Sequence, residues 1–242
     1  MKGGVIAIDG PSAAGKSSTA RAVAVALGFA HLDSGSLYRG VTLVALREAA
    51  RRGASGDPLR ALDPETILRA AEDRGLMLQP DGAGFTAYLE GVPVDAEIRG
   101  PEVTANVSAV SAVPVIREWI NTRLRAMVRA GRDVVVDGRD IGTVVFPDAD
   151  LKIFLTASAA ARAGRRITQR GLAADAERLE VETAALAARD RADSTRPVAP
   201  LTAAPDAVPL DTTAMGFADQ VAFIVELARP LFGRGYDRGS SR

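Results

Sequence analysis

The chain has 242 residues, 47% of them apolar and 25% charged, which is the composition of a globular protein with a sizeable core. Basic and acidic residues number 30 each, so the chain lacks the basic excess of dedicated nucleic-acid-binding proteins. The absence of cysteine excludes disulfides, thiol catalysis and cysteine-rich zinc sites, and the single histidine, His31, excludes a histidine metal cluster.

The first part of the chain alternates short apolar strands with helical patterns. Strands are predicted at residues 5–8 and 29–32, and helices at residues 16–27, 38–51 and 64–74. Residues 75–100 differ, because short segments of alternating polarity are joined there by Pro-Asp-Gly and Glu-Gly turns. We therefore predict a small antiparallel β segment inserted at residues 75–100.

The alternation of strands and helices returns after this insertion. Strands are predicted at residues 133–137, 151–155 and 208–210, and helices at residues 102–112, 114–130, 158–170, 175–192 and 216–231. This order predicts an α/β fold with a doubly wound parallel sheet. The polar residues 233–242 are predicted to be a disordered tail.

A phosphate-binding motif lies between the first strand and the first helix. Gly10-Pro-Ser-Ala-Ala-Gly15-Lys16-Ser17 fits the pattern G-x-x-x-x-G-K-[ST] in the context that the pattern requires. In such loops, backbone N–H groups surround a phosphate, the lysine reaches the β- and γ-phosphates, and the hydroxyl binds Mg²⁺. The alternative, a turn of small residues with a solvated lysine, leaves unexplained why one of only three lysines, against 27 arginines, stands here. The motif predicts nucleotide binding but does not separate kinases from motors and switches.

Two polar segments follow later strands of the predicted sheet. One runs from Asp33 to Arg39, and the other is Asp137-Gly-Arg139-Asp140-Ile-Gly142. Ligands of open α/β sheets bind outside the carboxyl ends of the strands, so both segments should face the crevice that holds the phosphate loop. Asp33 or Ser34 would also serve as an ordinary helix N-cap. Arg139 beside Asp140 is either a self-satisfied turn or, as we prefer, a clamp for a phosphate and a donor group.

Two charged clusters lie on the predicted helices near the C-terminus. Four arginines with no acid among them share one helical face: Arg162, Arg165, Arg166 and Arg170. They are either a solvated face or a mobile lid to which ATP supplies the missing anion. A second stripe consists of Arg189, Asp193 and Arg196. An ion pair between Arg189 and Asp193 within the helix is expected, and this pair also suits a ligand.

Five segments together carry a family resemblance. IDGPSAAGKSS, LDSGSLYR, DGRDIGTVVFPDA, KIFLTAS and RDRADSTRPVAPL occur in this order. From about Val5 to Leu231 the chain resembles the bacterial cytidylate kinases, a family of nucleoside monophosphate kinases of the P-loop class. The resemblance includes the extra antiparallel segment of that family. It implies a single P-loop kinase domain at residues 1–232, with an NMP-binding β segment at residues 75–100 and an arginine-rich helical lid at residues 157–172.

The resemblance also implies roles for individual residues. The ATP site is expected to consist of Gly10, Pro11, Ser12, Ala13, Ala14, Gly15, Lys16, Ser17, Ser18, Arg162 and Arg166. The acceptor phosphate is expected to bind Ser34, Arg39 and Arg139, with Arg196 close by. Tyr38, Arg189 and Asp193 would line the ribose, and Ser108, Arg117 and Asp140 would read cytosine. The catalytic set is Lys16, Arg139, Arg166 and Arg196, with Ser17 as a metal ligand.

The chemistry of cytosine agrees with the role of Asp140, because a carboxylate accepts a hydrogen bond from the 4-amino group. Uracil has a carbonyl there, so we expect discrimination against UMP. The predicted activity is in-line transfer of the γ-phosphoryl group of ATP to CMP or dCMP with Mg²⁺, in pyrimidine nucleotide metabolism. Kinases for UMP, dTMP or shikimate are rival hypotheses. A nucleotide-driven switch is another, although the guanine-reading motif N-K-x-D is absent.

The predicted partners are the small-molecule substrates ATP and CMP or dCMP. No apolar run reaches the roughly 18 residues of a membrane span, and the N-terminus carries no signal-peptide pattern. We therefore expect a cytoplasmic protein that binds neither membrane nor nucleic acid. Nothing in the sequence demands an oligomer, so a monomer is expected.

Overall fold

The computed structural model describes residues 3–54, 57–128 and 131–233. Its strands are Val5–Asp9 (β1), Ala30–Asp33 (β2), Met77–Asp81 (β3), Gly84–Leu89 (β4), Val92–Pro93 (β5), Val134–Gly138 (β6), Leu151–Thr156 (β7) and Val208–Asp211 (β8). Its α-helices are Lys16–Leu27 (α1), Ser34–Arg51 (α2), Pro64–Asp73 (α3), Asp95–Ile98 (α4), Pro101–Val110 (α5), Pro114–Val128 (α6), Ala159–Gln169 (α7), Ala176–Thr195 (α8) and Phe217–Phe232 (α9). The tail that was predicted to be disordered lies outside the described residues, apart from Gly233.

The strands form one sheet in the order β3-β4-β2-β6-β1-β7-β8, with β5 beside β4. Strands β2, β6, β1, β7 and β8 are parallel, which confirms the predicted parallel sheet. The meander β3-β4-β5 is antiparallel, as predicted. It extends the same sheet, because β4 pairs with β2 at His31 and Gly84.

Alternate side chains of β1 enter two separate cores, one on each face of the sheet. Val5 and Ala7 pack with residues of α2, α3 and α6, whereas Ile6 and Ile8 pack with residues of α1 and α9. Burying an aliphatic side chain of this size stabilises the fold by about 1.5–3 kcal/mol. A strand that is apolar on both faces must be covered on both, and this confirms the doubly wound arrangement.

Local signals explain where the first two helices begin and end. Helix α1 has the predicted bounds, and it ends at Gly28, whose left-handed backbone has a φ of 67°. Helix α2 begins at Ser34, four residues before the predicted start, because the Asp33 carboxylate accepts a hydrogen bond from the backbone of Gly35. The alternative role of Asp33 as an N-cap is therefore confirmed.

Three helical segments of the described residues had not been predicted, and one of them is a short 3₁₀ turn at Pro58–Arg60. Helix α4 lies inside the segment at residues 75–100 that was expected to be entirely β. One turn of π-helix occupies Ile141–Val145, directly after Asp140. The backbone N–H groups that begin this turn are bound by a side chain from β1, a contact distant in sequence.

Candidate active site

A deep cleft lies at the carboxyl ends of β1, β2 and β6, and it has a volume of about 1030 Å³. Its lining includes the phosphate loop, the start of α2, the Arg139–Asp140 segment and residues of α7 and α8. Ten lysine and arginine side chains line it, against four aspartates, although the whole chain has no net charge. This excess of positive charge indicates a site for anionic ligands.

The phosphate loop turns in the short space between β1 and α1. Gly10 has a φ of 149°, and a Cβ atom there would lie 2.0 Å from the carbonyl oxygen of Leu155, so only glycine fits. Gly15 has a φ of 95° and directly precedes the first residue of α1. The N-terminus of α1 therefore faces the cleft with its positive dipole end, the usual position for a bound phosphate.

Lys16 is a buried lysine at the base of this loop. Its Nζ atom donates a hydrogen bond of 2.6 Å to the carbonyl oxygen of Pro11, and among the described residues no carboxylate forms an ion pair with it. Burial and then the charge of Arg139 lower the pKa of Lys16 to about 7, although Asp137 and Asp9 raise it. A buried ammonium without a protein counterion is suited to an anionic ligand.

Ser17 and Asp137 place two oxygen ligands beside Lys16. The Ser17 hydroxyl donates a hydrogen bond of 2.6 Å to Oδ2 of Asp137, and both residues line the cleft. The other carboxylate oxygen, Oδ1, lies 2.7 Å from Nε2 of His31. The sequence pattern identified Ser17 but not Asp137, because an acid at the end of a strand has many ordinary roles.

Asp9 is a second carboxylate that the sequence motifs did not identify. Its oxygens accept hydrogen bonds of 2.8 and 2.7 Å from the backbone N–H groups of Ile141 and Gly142. Burial raises the pKa of Asp9 to about 6, with the two N–H groups acting in the opposite direction. Asp9 thereby fixes the turn that presents Arg139 and Asp140 to the cleft.

A buried group of polar side chains forms one wall of the cleft. Arg117 pairs with Oδ2 of Asp140, and Nη2 of Arg196 lies 3.5 Å from Oδ1 of the same carboxylate. The Arg117 guanidinium lies 5.3 Å from the centre of the Tyr38 ring. The Tyr38 hydroxyl and Nε of Arg117 are buried with no hydrogen-bond partner, and burial raises the pKa of Tyr38. These four predicted residues are brought together, with polar groups left for a ligand.

Arg139 joins this wall to the phosphate loop. Its Nε donates to Oδ2 of Asp193 at 2.9 Å, and its Nη2 donates to the Ser12 hydroxyl at 2.7 Å. The predicted ion pair of Arg189 with Asp193 is wrong, because Asp193 faces Arg139 across the cleft instead. Nε of Arg189 is buried with no hydrogen-bond partner, and burial followed by the charge of Arg139 lowers the pKa of Arg189 to about 10.

The start of α2 supplies two further predicted residues to the cleft. The Ser34 hydroxyl donates to the carbonyl oxygen of Asp137 at 2.7 Å. Arg39 donates to the carbonyl oxygen of Ile98 and to the Thr104 hydroxyl, and both Ser34 and Arg39 line the cleft. Arg99, which the sequence patterns did not single out, also lines it and donates to Asp33 at 3.0 Å.

Arginines at residues 162–170 have acidic protein partners, which corrects the expectation that ATP must supply their missing anion. Glu182 of α8 accepts from Nε of Arg166 at 2.9 Å and from Nη1 of Arg170 at 2.8 Å. Arg162 pairs with Asp190, also of α8. The acids lie on the next helix rather than on α7, so ATP is not needed to explain how these charges are balanced. Arg165, Arg166 and Arg170 nevertheless line the cleft.

Some predicted site residues do not line the cleft. They are Gly10, Pro11, Ala14, Ser108 and Arg162. Arg162 is buried and supports the phosphate loop, because its Nη1 donates to the carbonyl oxygen of Ser12 at 2.9 Å. The carbonyl oxygen of Ser108 accepts from the Ser111 hydroxyl, and Ser111 lines the cleft in its place.

Residues 3–54, 57–128 and 131–233 contain neither a preformed metal cluster nor a membrane-spanning helix. Within these ranges no group of three or more His, Cys, Asp or Glu side chains is arranged to hold a metal ion. Nor do these ranges contain a helix that is long and apolar enough to cross a membrane.

Known proteins resemble the chain along nearly its whole length. The family model described as cytidylate kinase matches residues 6–230. A cytidylate kinase of Mycolicibacterium paratuberculosis is 47% identical over 93% of this chain and 95% of its own length. A cytidylate kinase of Streptococcus gordonii is 42% identical over 97% of this chain and its own full length, 100%. The crystal structure of TT1252 from Thermus thermophilus matches 95% of this chain and 98% of its own, with a TM-score of 0.44 and 18% identity. The family model and the curated relatives show that the chain belongs to the cytidylate kinase family.

Proposed function

We propose that the cleft carries out the reaction of this family: the chain transfers the γ-phosphoryl group of ATP to CMP or dCMP and releases ADP and CDP or dCDP. One observation carries the proposal. A phosphate loop with its buried lysine and a buried Arg117–Asp140 pair line the same cleft, and Arg139 contacts both Ser12 of the loop and Asp193 of α8. A kinase needs these two sites side by side, because its donor and acceptor phosphates must meet in line.

At the donor end, the phosphate loop and the N-terminus of α1 hold the phosphates of ATP, and Lys16 contacts the β- and γ-phosphates. The contact of Arg162 with the Ser12 carbonyl keeps the loop in shape from behind. Arg166 lies at the edge of the cleft, where it contacts the phosphates once it leaves Glu182.

At the acceptor end, Asp140 accepts a hydrogen bond from the 4-amino group of cytosine, and Arg117 fixes the orientation of the carboxylate. Ser34, Arg39 and Arg139 bind the phosphate of CMP. Tyr38, Arg189 and Asp193 line its ribose. The buried unpartnered atoms of Tyr38, Arg117 and Arg189 support this end as a ligand site, because buried polar groups normally have partners.

Between the two ends, catalysis consists of positioning and charge stabilisation, with no covalent enzyme intermediate. Lys16, Arg139, Arg166 and Arg196 surround the negative charge that spreads over the transferred phosphoryl group. The segments at residues 75–100 and 157–172 act as an NMP-binding segment and a lid of one P-loop kinase domain. Their closure over the substrates excludes water.

The metal ion is proposed to be Mg²⁺. A hydroxyl and a carboxylate, 2.6 Å apart beside Lys16, are hard oxygen ligands of the kind that Mg²⁺ takes together with substrate phosphates and water. Ser17 and Asp137 would hold the ion. When bound, the ion neutralises charge on the β- and γ-phosphates. A site that relies on the nucleotide for most of its ligands agrees with the lack of a cluster of three ligating side chains among the described residues.

The experiment is a comparison of acceptors. ADP release is measured with ATP and CMP, dCMP, UMP or AMP, for the wild type, Asp140→Asn and the control Asp73→Asn. Asp73 is an exposed residue at the end of α3, outside the lining of the cleft. We expect CMP and dCMP to be preferred over UMP, because a good base contact gives about 1–3 kcal/mol of discrimination.

Asp140→Asn should reduce the ratio of kcat/KM for CMP to that for UMP by about tenfold or more, because its amide donates to a carbonyl of uracil. The control should keep the ratio of the wild type. If CMP stimulates no ADP release by the wild type, the proposed function is wrong and a nucleotide switch is favoured. The monomeric state and the cytoplasmic location stay predictions, and size-exclusion chromatography with light scattering tests the first.

A further inference from the structure

The single histidine of the chain lies in the middle of a central strand, and none of the steps above uses it. His31 belongs to β2, which lies between β4 and β6. Its side chain is buried, and its backbone pairs with Gly84 on one side and Val135 on the other. An apolar side chain would fill such a position without any need for a polar partner. We therefore expect the contact of the ring nitrogen to explain why a histidine stands at this position.

The ring contacts Asp137 at the carboxyl end of the neighbouring strand. Nε2 of His31 lies 2.7 Å from Oδ1 of Asp137, and both side chains are almost fully buried. The parallel register pairs Asp33 with Asp137, so His31 stands two residues before the level of the carboxylate and reaches up to it. A carboxylate only accepts hydrogen bonds, so Nε2 of His31 carries the proton of this contact.

The two oxygens of Asp137 have different partners. Oδ1 accepts from His31, and Oδ2 accepts from the Ser17 hydroxyl at 2.6 Å. Asp137 also acts on Lys16, whose pKa its charge raises. With Oδ1 anchored from below, rotation of the carboxylate is restricted and Oδ2 is turned toward Ser17. The hydrogen-bonded chain from His31 through Asp137 to Ser17 thus leads from the core to the phosphate loop.

If His31 had only a structural role, loss of its hydrogen bond to Oδ1 of Asp137 would not change ligand binding at the donor site. The contact points to a role at the donor site, because its acceptor, Asp137, also accepts the hydrogen bond of the Ser17 hydroxyl. Outer partners that orient a metal-binding side chain commonly change metal affinity by about 10- to 100-fold when they are removed. We propose that His31 is a positioning residue that orients Asp137 for the metal–ATP complex, an inference that rests on the proposed function and on Ser17 and Asp137 as the metal ligands.

Two substitutions separate positioning from packing. His31→Leu fills much of the space but donates no hydrogen bond, whereas His31→Gln carries an amide N–H at a similar distance along the side chain. Thr19→Val is the matched control, because it removes a buried hydrogen bond to Gln220 on the opposite side of α1 without touching Asp137. All variants are first compared with the wild type by thermal unfolding.

The measured quantities are the half-saturating Mg²⁺ concentration at saturating ATP and CMP, the KM for CMP, and Mn²⁺ binding in the presence of ADP by electron paramagnetic resonance. For His31→Leu we expect the half-saturating Mg²⁺ concentration and the Mn²⁺ dissociation constant to rise about 10- to 100-fold. The KM for CMP should change by less than about twofold, because Arg117 and Asp140 on the cytosine side of the cleft keep their contacts. His31→Gln should restore most of the metal affinity, and Thr19→Val should keep that of the wild type.

Other results overturn the inference. If His31→Leu keeps the metal affinity of the wild type, or if His31→Gln loses as much metal affinity as His31→Leu, the hydrogen bond to Asp137 does not orient the metal site. If the KM for CMP rises as much as the Mg²⁺ requirement, the role is structural. Failure of the wild type to phosphorylate CMP would instead contradict the proposed function, so the two failures are distinct.

A measurement on the wild type keeps the inference testable if His31→Leu does not fold. Because the chain has one histidine, its ring gives a single pair of ¹⁵N signals. We expect a proton on Nε2, and a shift of this signal when Mg²⁺ is added to the protein with ADP but not when ADP is added with a chelator. A proton on Nδ1 with a bare Nε2, or a signal that ignores the metal, would overturn the inference.

Discussion

Binding of ATP is expected to draw protons from solution onto Lys16. Burial is the largest cause that lowers the pKa of this lysine from 10.5 to about 7, and the charge of Arg139 is the next. Asp137 and Asp9 act in the opposite direction, but neither forms an ion pair with the ammonium. With such a pKa, roughly nine in ten Lys16 side chains are neutral at pH 8 and about one in ten at pH 6.

The phosphates of ATP reverse this balance, because they place several negative charges against the ammonium. Restoring the ordinary pKa corresponds to about 5 kcal/mol of interaction between the charged lysine and the nucleotide. Calorimetric titration with Mg-ATP in buffers of different ionisation enthalpy measures the protons taken up. We expect about 0.9 proton per ATP at pH 8, about 0.5 at pH 7 and about 0.1 at pH 6.

Lys16→Arg is the matched control for this titration. A guanidinium stays protonated throughout the range, so this variant should bind ATP with little pH-dependent proton uptake. If the wild type takes up no more protons at pH 8 than Lys16→Arg does, the low pKa of Lys16 is refuted. A wild-type uptake that does not decline from pH 8 to pH 6 would refute it as well.

Three further predictions concern the two arginines Arg139 and Arg196, the phosphate loop, and the buried carboxylate of Asp9. Arg139→Ala and Arg196→Ala should each lower kcat about 100-fold or more with a nearly unchanged melting temperature, and near-normal turnover of both would contradict their catalytic role. Gly10→Ala should lower the free energy of unfolding by more than about 3 kcal/mol, because the added Cβ would lie 2.0 Å from the Leu155 carbonyl oxygen; a wild-type urea midpoint would argue against this clash. The folded state raises the pKa of Asp9 from 3.8 to about 6, so its contribution to stability is present below pH 4 and is lost as the pH rises through 6. The wild type should accordingly lose roughly 2 kcal/mol relative to Asp9→Asn between pH 4 and pH 7, and a pH-independent difference in urea unfolding would contradict the burial of this charge.

The parts of the fold that sequence predicted well depend on neighbours along the chain. Helix α1 had the predicted bounds because a glycine-rich loop begins it and Gly28 ends it. The strands were recognised from their short apolar runs, and their carboxyl ends placed the polar segments at one edge of the sheet. The sequence prediction starts α2 four residues too late, because it treats the N-cap role of Asp33 only as an alternative.

The contacts that sequence could not predict join residues far apart in the chain. Asp9 binds the backbone of Ile141 and Gly142, and no local pattern names such a partner. Asp193 was assigned to Arg189 by helical spacing, but β6 brings Arg139 against it. Helical spacing finds partners only on the same helix, so the sequence predicts no protein anion for the arginines of α7. Their partner Glu182 lies on the next helix, α8.

The charge pairs of the cleft suggest why substrate binding here can be selective. Arg139 pairs with Asp193 and Arg166 pairs with Glu182, so each of these two arginines must exchange or share its carboxylate when it contacts a phosphate. Such an exchange gains little for a ligand that offers only charge, because the lost ion pair offsets the new one. In the proposed complex, CMP would also offer a 4-amino group to Asp140 and hydroxyls to Asp193, and these donors would keep both carboxylates hydrogen-bonded. On this proposal, a ligand with a phosphate but without these donors would leave a buried carboxylate short of a hydrogen-bond partner, and we expect this penalty to favour CMP over inorganic phosphate and over UMP.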